Sequence, residues 1–261
     1  MIKQTIAKID KKIGLVLSGG GARAYAHIGV LEALNKHGIY PTHLSGSSAG
    51  ALVGALYCTG YKPLEILDLA KSHEFLQIFK IGFVNKELTE MTRLKSFLNQ
   101  YLEDDFSSLK IPLSICASNI NVGAFEIRSS GKLIEFIAAS CAIPLLFKPI
   151  KINNHLYVDG GLLNNLPIEP LLKTSEKIIG VSVNEHEFKD NIRGAVQITQ
   201  RCLQLAVWST VQERIEKCDV SIHIDKHFNY SMFSISKSQE LFDIGYNQAM
   251  DNMDNILKTL K

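Results

Sequence analysis

No run of about 18 consecutive apolar residues occurs in this 261-residue chain, so the sequence offers no membrane-spanning helix. Lys3, Lys8, Lys11 and Lys12 near the start are not followed by an apolar stretch of the length a secretory signal peptide needs. Cysteine pairs spaced for metal or redox work are missing. The five cysteines (Cys58, Cys116, Cys141, Cys202, Cys218) are scattered and odd in number, and read as free, mostly buried thiols in a reducing cytoplasm. A catalytic Cys141 lacks a dedicated base nearby. Charge of one sign is also missing. The net charge is +2 without clustered basic residues, which argues against nucleic acid as a partner. There is no internal repeat, low-complexity segment or linker, so one domain over 1–261 fits, long enough to bury a sizeable core.

Two cofactor patterns fall short. No G-x-x-x-x-G-K-[ST] phosphate loop exists. The glycine loop after a first apolar run (13–17), Ser18-Gly19-Gly20-Gly21-Ala22-Arg23-Ala24, does fit the dinucleotide fingerprint G-x-G-x-x-G/A. That fingerprint also wants an acid about 20 residues on, at the next strand end. The sequence places His43, Leu44 and Ser45 there, and Glu32 falls too early, within the helix. Three consecutive glycines before a helix serve equally to present backbone N–H groups to an oxyanion, because no side chain stands in the way. A tight turn with no ligand is the plain alternative. Arg23 opposes the helix dipole, so it is expected to anchor the loop to nearby carbonyls, face an anion or stay solvated. His27, one turn into the helix, reads as a packed histidine.

The second pattern is Gly46-Ser47-Ser48-Ala49-Gly50, which reads G-x-S-x-G between a short segment (42–45) and an apolar helical run (51–57). This is the strand–turn–helix setting of a nucleophile elbow, with Ser48 projecting from a bend that Gly46 and Gly50 leave uncrowded. A serine capping a helix is the bland reading. Further along, a hairpin (150–152, 155–158) ends in Asp159-Gly160-Gly161, and an acid at a strand end in an open α/β sheet is where a catalytic carboxylate would sit. It is also a common way to open a turn.

The remaining chain alternates strand and helix signals. Helices are expected over 63–70, 92–102, 133–142, 192–217 and 239–260, and strands over 113–118, 124–128, 178–183 and 220–224. Glu103-Asp104-Asp105 reads as a solvated surface turn rather than a metal site. The aromatic-rich stretch 75–84, flanked by Lys80 and Lys86, has two readings. It is core, or it is a mobile cover lining an acyl pocket or touching a lipid surface.

The glycine loop from Ser18 to Ala24, the elbow Gly46 to Gly50 and the Asp159-Gly160-Gly161 triplet occur in the order that resembles the patatin-like phospholipases, bacterial single-domain branch. The segments 139–144, 147–149 and 164–167 look like that family's blocks around the acid, and the likeness runs over about 13–183. The resemblance implies a three-layer α/β/α sandwich with a mostly parallel central sheet. It implies a Ser48–Asp159 dyad without histidine, an oxyanion hole from Gly19, Gly20 and Gly21, and Arg23, Gly46, Gly50, Gly160 and Gly161 as supporting positions. It further implies hydrolysis of lipid acyl esters with no metal and no cofactor. The cysteine usage points to a cytoplasmic protein, and membrane contact is expected to be peripheral at most, at the inner face, with the stretch 75–84 as its candidate. One departure is Ala24, where the family's glycine-rich motif usually ends in glycine.

Three other readings stay open. A Ser–Asp–His triad would draw on His186, His223 or His227, of which His186 follows a strand. A non-catalytic lipid- or nucleotide-sensing module would keep the fold without the chemistry. An oxidoreductase would use the glycine loop for a dinucleotide. The sequence is silent on oligomeric state and on which lipid is cut.

Overall fold

The computed structural model describes residues 11–80, 90–184, 190–224, 230, 232 and 234–261. Eight strands form one sheet: β1 (Ile13–Leu17), β2 (His43–Ser47), β3 (Leu113–Asn119), β4 (Ala124–Arg128), β5 (Ile150–Ile152), β6 (His155–Asp159), β7 (Lys177–Ser182) and β8 (Val220–His223). Hydrogen-bonded pairing links them in the succession β5-β6-β3-β2-β1-β7-β8, with β4 also on β3. Pairs β1–β2, β1–β7, β2–β3 and β7–β8 are parallel; β3–β4, β3–β6 and β5–β6 are antiparallel.

β1 and β7 are buried on both faces, which explains why they read as near-continuous apolar runs. Side chains alternate between the faces with the strand period of two. In β1, Leu15 and Leu17 join the larger core, while Val16 joins a smaller one with Leu166, Ile168, Leu171, Ile178, Val211 and Ile215. The larger core packs α1 (Tyr25–Lys36), α2 (Ala49–Thr59), α3 (Pro63–Lys71), α4 (His73–Lys80), α5 (Thr92–Leu98), α6 (Leu133–Ser140), α9 (Ser238–Asp251) and α10 (Met253–Leu260). The smaller packs α7 (Leu171–Thr174) and α8 (Gly194–Ile215) against the other face. This is the three-layer α/β/α arrangement expected.

Several boundaries differ from the sequence expectation. β2 runs through Gly46 and Ser47, so the bend of the elbow falls on Ser48 alone. The helix expected over 92–102 stops at Leu98, and the terminal helix breaks at Asn252, whose side-chain amide donates to the Gln248 carbonyl. The break redirects Met253, Ile256 and Leu260 into the core. Asp104 does more than face solvent, since its carboxylate accepts the Ile134 N–H in the first turn of α6.

One feature of the sheet places the site. β4 pairs with Ile115–Asn119 of β3, along one edge. β2 pairs with Leu113–Cys116 and β6 with Ala117–Asn119, so both must lie along the opposite edge. They run in opposite directions and meet end to end. Ser47 sits opposite Cys116, and Asp159 opposite the next residue, Ala117.

Candidate active site

That collision of strand ends brings Ser48 and Asp159 together across 111 residues of sequence. Ser48 Oγ–H donates to Asp159 Oδ2 at 2.6 Å, and both residues are buried. Ser48 has φ 51° and ψ −126°, a conformation that non-glycine residues rarely adopt and that costs about 1–3 kcal/mol. The strain turns the hydroxyl out of the strand end and starts α2 at Ala49, so the positive end of that helix lies beside Ser48. The flanking glycines supply clearance. A Cβ at Gly46 would come within 2.8 Å of the Ala51 nitrogen, and one at Gly50 would run into the Leu17 carbonyl.

Asp159 is held at every polar atom. Its Oδ1 accepts the Gly161 N–H at 2.8 Å, its own N–H donates to the Ala142 carbonyl, and its carbonyl accepts from Ser118 Oγ. Burial pushes its carboxyl up to about 6, against the downward pull of the Ser48 and Gly161 hydrogen bonds. The C-terminal end of α6 clamps both partners. Ser140 Oγ accepts the Ser48 N–H at 2.8 Å and donates to the Cys116 carbonyl at 2.6 Å, two residues before the Ala142 carbonyl that holds Asp159. Ser140 and Ala142 stood in a motif block without an assigned role, and the sequence carries no signal for the clamp.

The glycine loop leaves β1 beside the elbow. Gly19 N–H is taken by Asn165, by its Oδ1 at 3.1 Å and its carbonyl at 3.3 Å. Gly20 and Gly21 N–H have no hydrogen-bond partner among the described residues. Gly21 has φ 60°, and a Cβ there would meet the Met232 carbonyl at 2.5 Å, so this position requires glycine. Arg23 anchors the loop, donating from Nε to the Gly20 carbonyl and from Nη2 to Asn184 Oδ1. His27 is fully buried under the loop with Nε2 2.8 Å from the Ser18 carbonyl. Burial lowers it to about 4, so it is neutral and packed, as its helical position suggested.

Ser48 lies where two spaces meet. On one side is a cavity of about 90 Å³ with apolar walls from Leu52, Val53, Leu56, Phe75, Phe97 and Phe147. On the other is a cleft of about 620 Å³ lined by the glycine loop, Arg23, Asp159, Asn165 and Asn184, and by Arg201, Gln204 and Trp208 of α8. Phe75 and Ile78 are buried in the core, and the Phe75 ring lies 5.4 Å from that of Phe97, so the two readings of this stretch merge at Phe75. Residues 81–84 and Lys86 lie outside the described residues.

Because the serine and the aspartate bond directly, no imidazole stands between them. His223 is exposed on the sheet-edge strand β8, and His186 and His227 lie outside the described residues. Cys58, Cys116 and Cys141 are buried, Cys202 is exposed and Cys218 is half-buried; all five are free. Among the described residues, no group of histidine, cysteine and carboxylate side chains is placed to hold a metal ion, and no helix is long and apolar enough to cross a membrane.

The chain's fold is similar to that of VipD from Legionella pneumophila, with a TM-score of 0.53 at 17% identity over 94% of this chain and 67% of that one. It is also similar to human GIVD cytosolic phospholipase A2, with a TM-score of 0.56 at 11% identity over 97% and 60%. In sequence it resembles lysophospholipase NTE1 of Scheffersomyces stipitis, 26% identical over 92% of this chain and 18% of the relative. It also resembles lysophospholipase NTE1 of Meyerozyma guilliermondii, 32% identical over 67% and 13%. The chain thus spans less than a fifth of the length of these curated relatives. The model of the patatin-like phospholipase family matches residues 15–172, which carry the glycine loop, the elbow and the acid, and the chain belongs to that family.

Proposed function

We propose that this chain hydrolyses acyl esters of lipids through a Ser48–Asp159 dyad. The observation that carries the reading is the 2.6 Å hydrogen bond from Ser48 Oγ to a buried carboxylate whose pKa is raised to about 6, on a strained elbow. A base with a pKa near the working pH is suited to accept a proton and return it.

In the first step Asp159 Oδ2 takes the hydroxyl proton as Ser48 Oγ attacks the ester carbonyl carbon. The carbonyl oxygen gains the negative charge and is met by the Gly20 and Gly21 N–H groups. Gly19 instead anchors the loop, its amide being committed to Asn165. Each oxyanion donor of this type is typically worth about 10²–10³ in kcat. The alcohol leaves with the proton from Asp159. Water then attacks the acyl-serine, passing its proton to Asp159, and Ser48 is restored by the reverse path.

The two spaces around Ser48 divide the substrate. The apolar cavity receives the acyl chain and the polar cleft receives the alcohol portion. The names of the lysophospholipase relatives support a lipid ester, and a cytoplasmic site with peripheral membrane contact suits such a substrate. The test is intact-protein mass after treatment with a fluorophosphonate. Wild type is expected to gain one adduct, Ser48→Ala none, and Asp159→Asn to label far more slowly. An unlabelled wild type, or equal labelling of the serine variant, sinks the reading.

A further inference from the structure

The apolar cavity and the polar cleft share part of their walls. Gly21, Ser48, Ile143, Leu146 and Met232 line both, so these residues frame the doorway between the two spaces. Gly21 and Ser48 belong to the chemistry already described. The other three do not: they are large apolar residues, each half-buried, from two separate segments of the chain. Ile143 directly follows Ala142, whose carbonyl holds the Asp159 N–H. Its own carbonyl accepts the Leu146 N–H at 3.2 Å and the Phe147 N–H at 3.0 Å. This tight turn sets Leu145 at φ 71°, a strained conformation for leucine, and leaves it 57% exposed while Leu146 lines the doorway. Met232 comes from beyond the 15–172 segment that the family match covers. It is fixed on the glycine loop: its carbonyl accepts the Ala22 N–H at 2.8 Å, and a Cβ on Gly21 would stand 2.9 Å from Met232 Cβ.

We infer that Ile143, Leu146 and Met232 form a neck that selects acyl chains by where they branch: a chain that is straight beside the carbonyl passes, and one that branches there is refused. The inference rests on the acyl-hydrolase reading. That reading fixes the carbonyl carbon at Ser48 Oγ, its oxygen at the Gly20 and Gly21 N–H groups and the alcohol in the cleft. The remaining substituent, the first carbon of the acyl chain, then points toward the cavity and crosses the doorway. A methyl group on that carbon falls inside the neck, whereas a methyl near the tail lies beyond it. Packed apolar side chains yield little to an added methyl, and Ile143, being β-branched, is stiff. The substrate class assigned is the ester of a fatty acid that is straight beside its carboxyl group, any branch it carries lying toward the tail.

The test uses octanoyl, 6-methylheptanoyl and 2-methylheptanoyl esters of one alcohol, isomers that differ only in where the chain branches. kcat/KM is measured for wild type, Leu146→Ala and Met232→Ala. Each ratio of esters is divided by the ratio for hydroxide-catalysed hydrolysis, which removes the intrinsic sluggishness of the hindered ester. Wild type should then favour octanoyl over 2-methylheptanoyl by about 10–200-fold, the range for one misplaced methyl group in an apolar pocket, and accept 6-methylheptanoyl nearly as well as octanoyl. Each alanine variant should narrow the discrimination against 2-methylheptanoyl by about tenfold and leave the 6-methylheptanoyl ratio in place, a split that general loosening of the fold would not produce. A wild-type ratio equal to that for hydroxide, or discrimination unchanged in both variants, overturns the proposal. A second measurement needs no turnover: the rate at which Ser48 is labelled by octyl and by 1-methylheptyl fluorophosphonate, the alkyl group on phosphorus standing for the acyl chain. The branched reagent should label wild type more slowly, and Met232→Ala should narrow the gap. Equal rates in wild type, or a gap that the variant leaves unchanged, overturn the neck. If no ester is hydrolysed but the labelling gap is present and narrows in Met232→Ala, the hydrolase reading falls while the neck stands.

Discussion

Replacing Asp159 by asparagine should stabilise the fold while disabling the chemistry, and the size of the gain should depend on pH. The folded carboxyl has its pKa raised from 3.8 to about 6 by burial. The unfolded chain ionises near the ordinary value, so between the two pKa values the folded state holds more protons. Stability from this group is therefore complete below about pH 3.8 and is lost as pH rises through about 6. A shift of about 2 units corresponds to about 3 kcal/mol, the cost of the buried charge at pH 8. Asparagine escapes that cost and keeps the contacts: its oxygen can accept from Gly161 N–H, and its amide can donate to Ser48 Oγ. At roughly 2–4 °C per kcal/mol for a chain of this size, the variant should melt roughly 6–12 °C above wild type at pH 8. The two should converge near pH 4. Parallel thermal and urea unfolding from pH 4 to 8 measures the gap directly. The kcat/KM of wild type on a soluble ester should rise through the same region, near pH 6, as the base ionises. A gap that does not grow with pH, or an asparagine variant less stable at pH 8, would refute the reasoning that burial of a charge sets the properties of Asp159.

Three further outcomes are expected. Ser140→Ala strands the buried Ser48 N–H, so it should cost about 1–3 kcal/mol in unfolding and slow fluorophosphonate labelling at least tenfold; labelling at the wild-type rate would show that the elbow holds itself. Asn165→Ala removes the side-chain acceptor of the Gly19 amide, leaving only the longer bond to the backbone carbonyl, and so loosens the oxyanion loop; kcat should fall by roughly 10–100-fold with KM changed far less, read by steady-state kinetics on one soluble ester. Val53→Trp fills the apolar cavity, so kcat/KM should fall more for octanoyl than for acetyl esters; a uniform loss would place the acyl chain elsewhere.

Much of this protein is written locally. The glycine loop, the elbow and the acid are short motifs whose residues answer to local geometry: Gly21 to a positive φ, Gly46 and Gly50 to close backbone approach, Ser48 to a bend between strand and helix. The apolar runs of β1 and β7 announce strands covered on both faces. Those signals marked Ser48 and Asp159 as candidates and carried the family resemblance, and it was the resemblance that implied the α/β/α sandwich and the pairing of the two. The partners that hold the pair did not carry such signals. Ser140 is an ordinary buried serine late in a helix, and Asn165 follows another asparagine in a loop. Each matters only because of the group that the fold sets against it.

The deeper reason lies in β3. The sequence by itself determined which residues have the chemistry, because a nucleophile on a glycine-flanked bend and a carboxylate at a strand end are local arrangements. It could not determine that β2 and β6 share one edge of β3 and end opposite consecutive residues, Cys116 and Ala117, because strand pairing is set by long-range hydrogen bonding. That register places a hydroxyl 2.6 Å from a carboxylate, buries the carboxylate enough to raise its pKa to about 6, and leaves Ser48 between an apolar cavity and a polar cleft that a helix beyond the family motifs helps to line.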